Sequence, residues 1–167
     1  MSVLEIERKW LVDPQKIPYD LSTLDAYAIE QAYISFYPTI RIRNINNGEQ
    51  LILTIKTHPK NSEYAELQRE ETEIPLSEEE YGELRKRISG NVVCKTRYVV
   101  PIGDGLKEEI DLFSGALEGL ALMEIEFPDT ASALNYPNPE WVEADVTYDK
   151  RYKNSFLAQV SLPERQG

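Results

Sequence analysis

Cysteine and histidine are nearly absent: Cys94 and His58 are the sole examples in 167 residues. One cysteine excludes an internal disulfide and suits a reducing cytosol. Cys94 also lacks a paired His motif and reads as a packed strand residue. His58 lies beside Pro59 in a polar loop with no second His or Cys at ligand spacing, which argues against zinc. No apolar run approaches a membrane span, and the first twelve residues carry Glu, Arg and Lys where a secretory signal is apolar. Positive charge is the minority, 18 Lys and Arg against 29 Asp and Glu, for a net charge of -11. That balance argues against nucleic acid or an anionic membrane as partner, but not against an anionic substrate held by cations in a cleft. No glycine-rich phosphate loop is present: Gly103-Asp104-Gly105 reads as a turn, and nothing resembles a Walker loop or a dinucleotide fingerprint. Internal repeats, low-complexity segments and linkers are also missing. The expectation is one acidic, soluble, cytoplasmic domain spanning 1–167.

What the chain has is ionic alternation. Glu5, Glu7 and Lys9 alternate with Leu4, Ile6, Arg8 and Trp10. In a strand, residues two apart share a face at a spacing of roughly 6.5–7 Å, so charge lines one side while Leu4, Ile6 and Trp10 pack on the other. The pattern returns at Arg41/Arg43, Lys56, Arg69/Glu71/Glu73, Lys95/Arg97, Glu109/Asp111 and Glu124/Glu126. Such repetition describes the wall of a polar tunnel.

Punctuation places the elements. Val3–Val12 reads as a strand closed by Asp13-Pro14, and Pro14 to Leu24 as irregular or short helix. Further strands are expected at Ala28–Phe36, Thr39–Asn44, Gln50–Thr57 and Tyr64–Ile74, with an Asn-Gly hairpin turn at 45–49. Leu76–Ser89 is predicted as a helix from the Ser77/Glu80 capping box and the Tyr81, Leu84, Ile88 stripe, with Gly90 as its stop. Val92–Ile102 and Leu106–Phe113 form a hairpin, and a turn at 114–119 leads to strand Ala121–Phe127. One helical turn is expected at Thr130–Leu134. A last helix is expected from Thr147 or Asp149 to about Gln159, with Tyr148, Tyr152 and Phe156 on one face. The fold class is α+β, mainly β: an eight-stranded antiparallel barrel or tunnel with a few flanking helices.

The acid pairs Glu5/Glu7, Glu71/Glu73 and Glu124/Glu126 can offer oxygens to a hard cation, and Mg²⁺ or Mn²⁺ is commonly shared with substrate phosphates. The cations Lys9, Arg41, Arg43, Lys56, Arg69, Lys95 and Arg97 suit phosphate oxygens, arginine through its bidentate fork. A solvated sheet face explains one acid pair; three pairs interleaved with cations favour a site. Unpaired interior ions cost several kcal/mol or more each, so the tunnel must be wet, metal-loaded or ligand-filled.

The segment Glu5-Ile6-Glu7-Arg8-Lys9 resembles the E-x-E-x-K signature of the CYTH family, also called triphosphate tunnel metalloenzymes. The resemblance continues in order through Ile40–Arg43, Leu53–Lys56, Arg69–Glu73, Lys95–Tyr98, Glu109–Phe113, Glu124–Phe127 and the tail Val146–Asn154, the last similar to small bacterial members. It implies an eight-stranded tunnel, divalent-metal dependence and a triphosphate-bearing substrate. Carried over by position, Glu5, Glu7, Glu71, Glu73, Glu124 and Glu126 are implied metal ligands, with Asp111 supporting metal or orienting a cation. Lys9, Arg41, Arg43, Lys56, Lys95 and Arg97 are implied phosphate ligands. Arg69 is open between substrate contact and internal ion pair, Lys150 is implied at the tunnel mouth in contact with substrate, and Tyr33 lies where it can tune Lys9.

The reaction expected is hydrolysis of inorganic tripolyphosphate to pyrophosphate and orthophosphate. Lys9 would serve the leaving group, and Glu7 or Glu71 would activate water. A class IV-type adenylate cyclase, a thiamine triphosphatase and a non-catalytic polyphosphate-binding module are the alternatives. The first needs a base pocket and the second an aromatic platform. The third gains nothing from six glutamates without metal. A homodimer is compatible with the chain.

Overall fold

Alternation of apolar residues with charged ones gives most strands one apolar and one ionic face, and closure turns the ionic faces inward. In a computed structural model, which describes residues 2–60 and 67–159, eight antiparallel strands close a barrel. They are β1 (Val3–Leu11), β2 (Asp25–Ser35), β3 (Thr39–Ile45), β4 (Gln50–Thr57), β5 (Gln68–Pro75), β6 (Ser89–Gly103), β7 (Leu106–Ser114) and β8 (Ala121–Glu126). Around the barrel the order is β5-β4-β3-β2-β6-β7-β8-β1, and β1 returns to β5. β1 divides its pairing: Val3–Ile6 face β5, while Glu7–Leu11 face β8. A two-residue strand β9 (Ala144–Asp145) then pairs with Trp10 and Leu11, taking the edge that β5 leaves.

Three apolar clusters hold the barrel. Outside β1, β6, β7 and β8, the side chains of Ile6, Trp10, Val100, Ile110, Met123 and Ile125 pack with Ala133 of helix α2 (Thr130–Asn135). Outside β2 and β3, Ala32 and Ile42 meet Tyr81 of helix α1 (Glu78–Arg85). The third cluster lies across one end of the barrel. Tyr33, Val93, Phe113 and Leu122 meet Val146, Leu157 and Ala158 of the C-terminal segment. That end is plugged by protein.

Two helix expectations are corrected. The Ser77/Glu80 capping box forms, but α1 ends at Arg85 and Gly90 does not stop it. Gly90 sits inside β6 at φ +73°, and a Cβ there would stand 2.5 Å from the Ala158 carbonyl oxygen. Its glycine serves a close approach, not a helix end. The C-terminal segment forms a 3₁₀ turn (Lys150–Tyr152) and a short helix α3 (Asn154–Leu157), separated by an extended Lys153. Tyr148 and Phe156 are exposed, and Tyr152 alone of the expected stripe packs on the plug. Seating Leu157 and Ala158 in the barrel end, with the Asn91 N–H donating to the Ala158 carbonyl at 2.6 Å, overrides helical periodicity. The strand expected from Tyr64 begins at Gln68; residues 64–66 lie outside the described residues.

Candidate active site

Each ionic face points into the barrel beneath the plug. β1 contributes Glu5, Glu7 and Lys9, and β3 and β4 contribute Arg41 and Lys56 to the same cavity. Arg69 and Tyr33 line it too, and Thr147, Asp149, Lys153 and Asn154 of the C-terminal segment form its roof. Arg8, the outward residue between Glu7 and Lys9, ties β1 to residues 133–145. It donates to the Ala133 carbonyl at 2.9 Å, to the Tyr136 carbonyl, to Asn138 Oδ1 at 2.9 Å and to Asp145 Oδ2 at 2.6 Å.

The inward charges sort into two paired groups. On the β4/β5/β1 side, Lys56 Nζ stands 2.8 Å from Glu5 Oε1 and 3.2 Å from Glu71 Oε2. Burial and Arg41 act to lower the Lys56 ammonium, but Glu5, Glu7 and Glu71 outweigh them and raise it. On the β6/β7/β8 side, fully buried Asp111 accepts from Lys95 Nζ at 2.8 Å and from the Arg97 fork at 2.7 and 2.8 Å. Arg97 also reaches Glu109 at 2.8 Å, and Lys9 Nζ lies 3.3 Å from Glu124. Burial acts to lift the Asp111 and Glu124 carboxyls. Arg97 and Lys95 outweigh it at Asp111, and Lys9, Arg97 and Lys95 at Glu124, so both are held low. Burial would lower Lys9, yet Glu124 and Glu7 raise it and keep it charged. Lys95 is pushed down to about 8 by burial, helped by Arg97, which together outweigh Asp111 and Glu124.

Three groups are not balanced. Glu7 forms no ion pair among the described residues; burial, then Glu124 and Glu5, lift its carboxyl to about 8. Arg41 is 6% exposed, and neither it nor Arg43 has an ion-pair partner among the described residues. Their Nε groups are buried without a hydrogen bond, as are Gln31 Oε1, Thr54 Oγ1 and Glu71 Oε2. Four of those atoms lie on the successive strands β2, β3 and β4, while the fifth, Glu71 Oε2, faces Lys56 Nζ at 3.2 Å, so the β2–β4 wall of the tunnel holds unspent polar capacity. Native interiors rarely leave such groups unpaired without a ligand or water to meet them.

The sequence-derived residues therefore separate by position. Glu5, Glu7, Glu71, Lys9, Arg41 and Lys56 gather around one space. Lys95, Arg97, Asp111 and Glu124 form the adjoining ionic wall. Glu73 and Glu126 are exposed, Arg43 is half-buried beyond Arg41, and Lys150 is exposed beside an outer opening with Lys153, Arg69 and His58. Among the described residues no three carboxylates already converge as a metal cage. A hard cation that keeps waters and shares phosphate oxygens needs only one or two carboxylates. Glu5 and Glu71, which share the Lys56 ammonium at 2.8 and 3.2 Å, and the uncompensated Glu7 fit that need. Sequence reasoning missed the roof residues Thr147 and Asn154, and the wall residues Gln31 and Thr54. They are single neutral side chains outside the charged alternation, and no spacing marks them.

Comparison with known proteins gives a consistent result. No family model matches the chain. It is 35% identical over 161 residues to an inorganic triphosphatase of Nitrosomonas europaea, covering 95% of this chain and 99% of the relative. It is 32% identical over 159 residues to an inorganic triphosphatase of Acetivibrio thermocellus, covering 93% of each. A crystal structure of an inorganic triphosphatase matches with a TM-score of 0.65 at 33% identity, covering 95% of this chain and 96% of that one.

Proposed function

The chain belongs to the CYTH family of triphosphate tunnel enzymes, and from that premise we propose that it hydrolyses inorganic tripolyphosphate to pyrophosphate and orthophosphate. The observation that carries the reading is the pair Arg41 and Arg43, arginines with buried Nε groups and no carboxylate partner among the described residues. Arginine forks match phosphate oxygens bidentately, and a buried guanidinium without an anion is a cost that a phosphate chain removes.

Glu5 and Glu71, with Glu7 beside them, are the carboxylates that would hold a divalent cation, Mg²⁺ or Mn²⁺. When bound, such an ion neutralises phosphate oxygens and acidifies a water. The chain's own residues supply the rest. Arg41, Arg43 and Lys56 grip the phosphates and keep the scissile anhydride in line with the attacking water. Lys95 and Arg97, fixed by Asp111, present positive charge from the opposite wall. As water oxygen bonds to the terminal phosphorus, the bridging P–O bond breaks and the water's proton passes to a carboxylate. Glu7 is favoured over Glu71, because Glu71 is already paired with Lys56 at 3.2 Å while Glu7 forms no ion pair among the described residues. Lys9, raised and therefore charged, donates a hydrogen bond to the departing pyrophosphate oxygen.

A phosphate-release panel tests this. Tripolyphosphate, ATP and thiamine triphosphate are each incubated with Mg²⁺, Mn²⁺ or chelator. Equal amounts of pyrophosphate and orthophosphate from tripolyphosphate, with metal only, are expected. Conversion of ATP to a cyclic nucleotide while tripolyphosphate is ignored would overturn it.

A further inference from the structure

The unspent atoms of the tunnel wall are arranged as donors opposite acceptors. Thr54 of β4 is the direct cross-strand neighbour of Arg41, and Gln31 of β2 is that of Arg43. Both neutral side chains are fully buried. Among the described residues Thr54 Oγ1 and Gln31 Oε1 have no hydrogen-bond partner, and neither do the Arg41 and Arg43 Nε–H donors. The other end of the Gln31 amide is fixed, its Nε2 donating to the Tyr33 hydroxyl at 3.3 Å, which leaves the oxygen as the free end. Tyr33 in turn stands across from Arg41.

From this juxtaposition, and resting on the triphosphate reading above, we infer that Thr54 and Gln31 are positioning residues. When an anion draws the guanidinium forks toward it, Arg41 Nε–H is received by Thr54 Oγ1 and Arg43 Nε–H by Gln31 Oε1. Each arginine then spends its outer N–H groups on phosphate and its Nε–H on the wall, which fixes the plane of the fork. The free protein holds both pairs open, and binding closes them. Hydrogen bonds at active sites are commonly long in the free enzyme and tighten in the complex.

The experiment is a double-mutant cycle on tripolyphosphate binding, measured by calorimetry in chelator so that no turnover intervenes. Thr54→Val and Gln31→Leu should each weaken binding about ten-fold, the size of one hydrogen bond to a charged group. Thr54→Ser should restore it. In an Arg41→Lys background, which has no Nε–H, Thr54→Val should have no further effect, and likewise Gln31→Leu in Arg43→Lys. The ligand-free melting temperature of both single variants should hold or rise, since an unpaired buried polar atom is removed. Unchanged affinity in Thr54→Val, the same loss in both backgrounds, or a lowered ligand-free melting temperature would each overturn the inference. Wild-type protein that binds no tripolyphosphate would instead defeat the reading of the site on which it rests.

Discussion

At Glu7, stability and function pull against each other. Its carboxyl is lifted to about 8 by burial and by Glu124 and Glu5, against an unfolded value of about 4.3. Its contribution to stability is therefore complete below about pH 4 and is lost as pH rises through about 8. Glu7→Gln cannot ionise and escapes that loss. In chelator at pH 8.5 the variant should melt a few degrees above wild type, by about 1–2 kcal/mol once screening within a wet tunnel is allowed for. The two melting curves should converge toward pH 4.5, and the variant should release no phosphate from tripolyphosphate with metal. A lower melting temperature at pH 8.5 would mean that Glu7 is already compensated. Asp111 is the opposite case. It is buried and shared by Lys95 and Arg97, so Asp111→Ala takes from buried Lys95 its ion pair and leaves Arg97 to Glu109 and Glu124. A loss of about 3–5 kcal/mol in urea unfolding is expected; an unchanged midpoint would show that water already solvates that wall.

Elements whose determinants are local were legible in the sequence. The Asn-Gly turn between β3 and β4, the Gly103–Gly105 turn and the Ser77/Glu80 box each carry their geometry in a few adjacent residues, and each forms as expected. The charged alternation located the inward face of seven of the eight barrel strands, because a period of two fixes phase whatever the closure; β2 carries no such alternation. The C-terminal segment could not be read this way. Its conformation is set by the barrel end that it fills, where Leu157 and Ala158 meet Tyr33, Phe113 and Leu122. Gly90 was misread for the same reason, since its small size answers the Ala158 carbonyl, a neighbour remote in sequence. Gly90→Ala tests that assignment. With φ at +73° and a Cβ 2.5 Å from the Ala158 oxygen, the substitution should cost more than about 1 kcal/mol. It should also raise amide exchange at Asn91, whose N–H donates to that oxygen. An unchanged melting temperature and unchanged exchange at Asn91 would show that the plug is not seated there.

On the scale of the whole molecule, an acidic protein of net charge -11 keeps cations inside a tunnel whose carboxylates are only partly spent on them. One wall is internally paired through Lys95, Arg97, Asp111 and Glu124. The other presents Arg41, Arg43, Gln31 and Thr54 with open hydrogen-bonding capacity. The residue types of the site were readable from sequence; this division of labour between walls was not, because it depends on which strands face each other after closure. The claim that the open wall is an anion site is tested most directly by titrating tripolyphosphate into wild-type protein and into an Arg41→Met/Arg43→Met variant, both in chelator. One molecule bound per wild-type chain, and none by a variant that melts no lower than wild type, is the predicted result. Equal binding by the two proteins would contradict it.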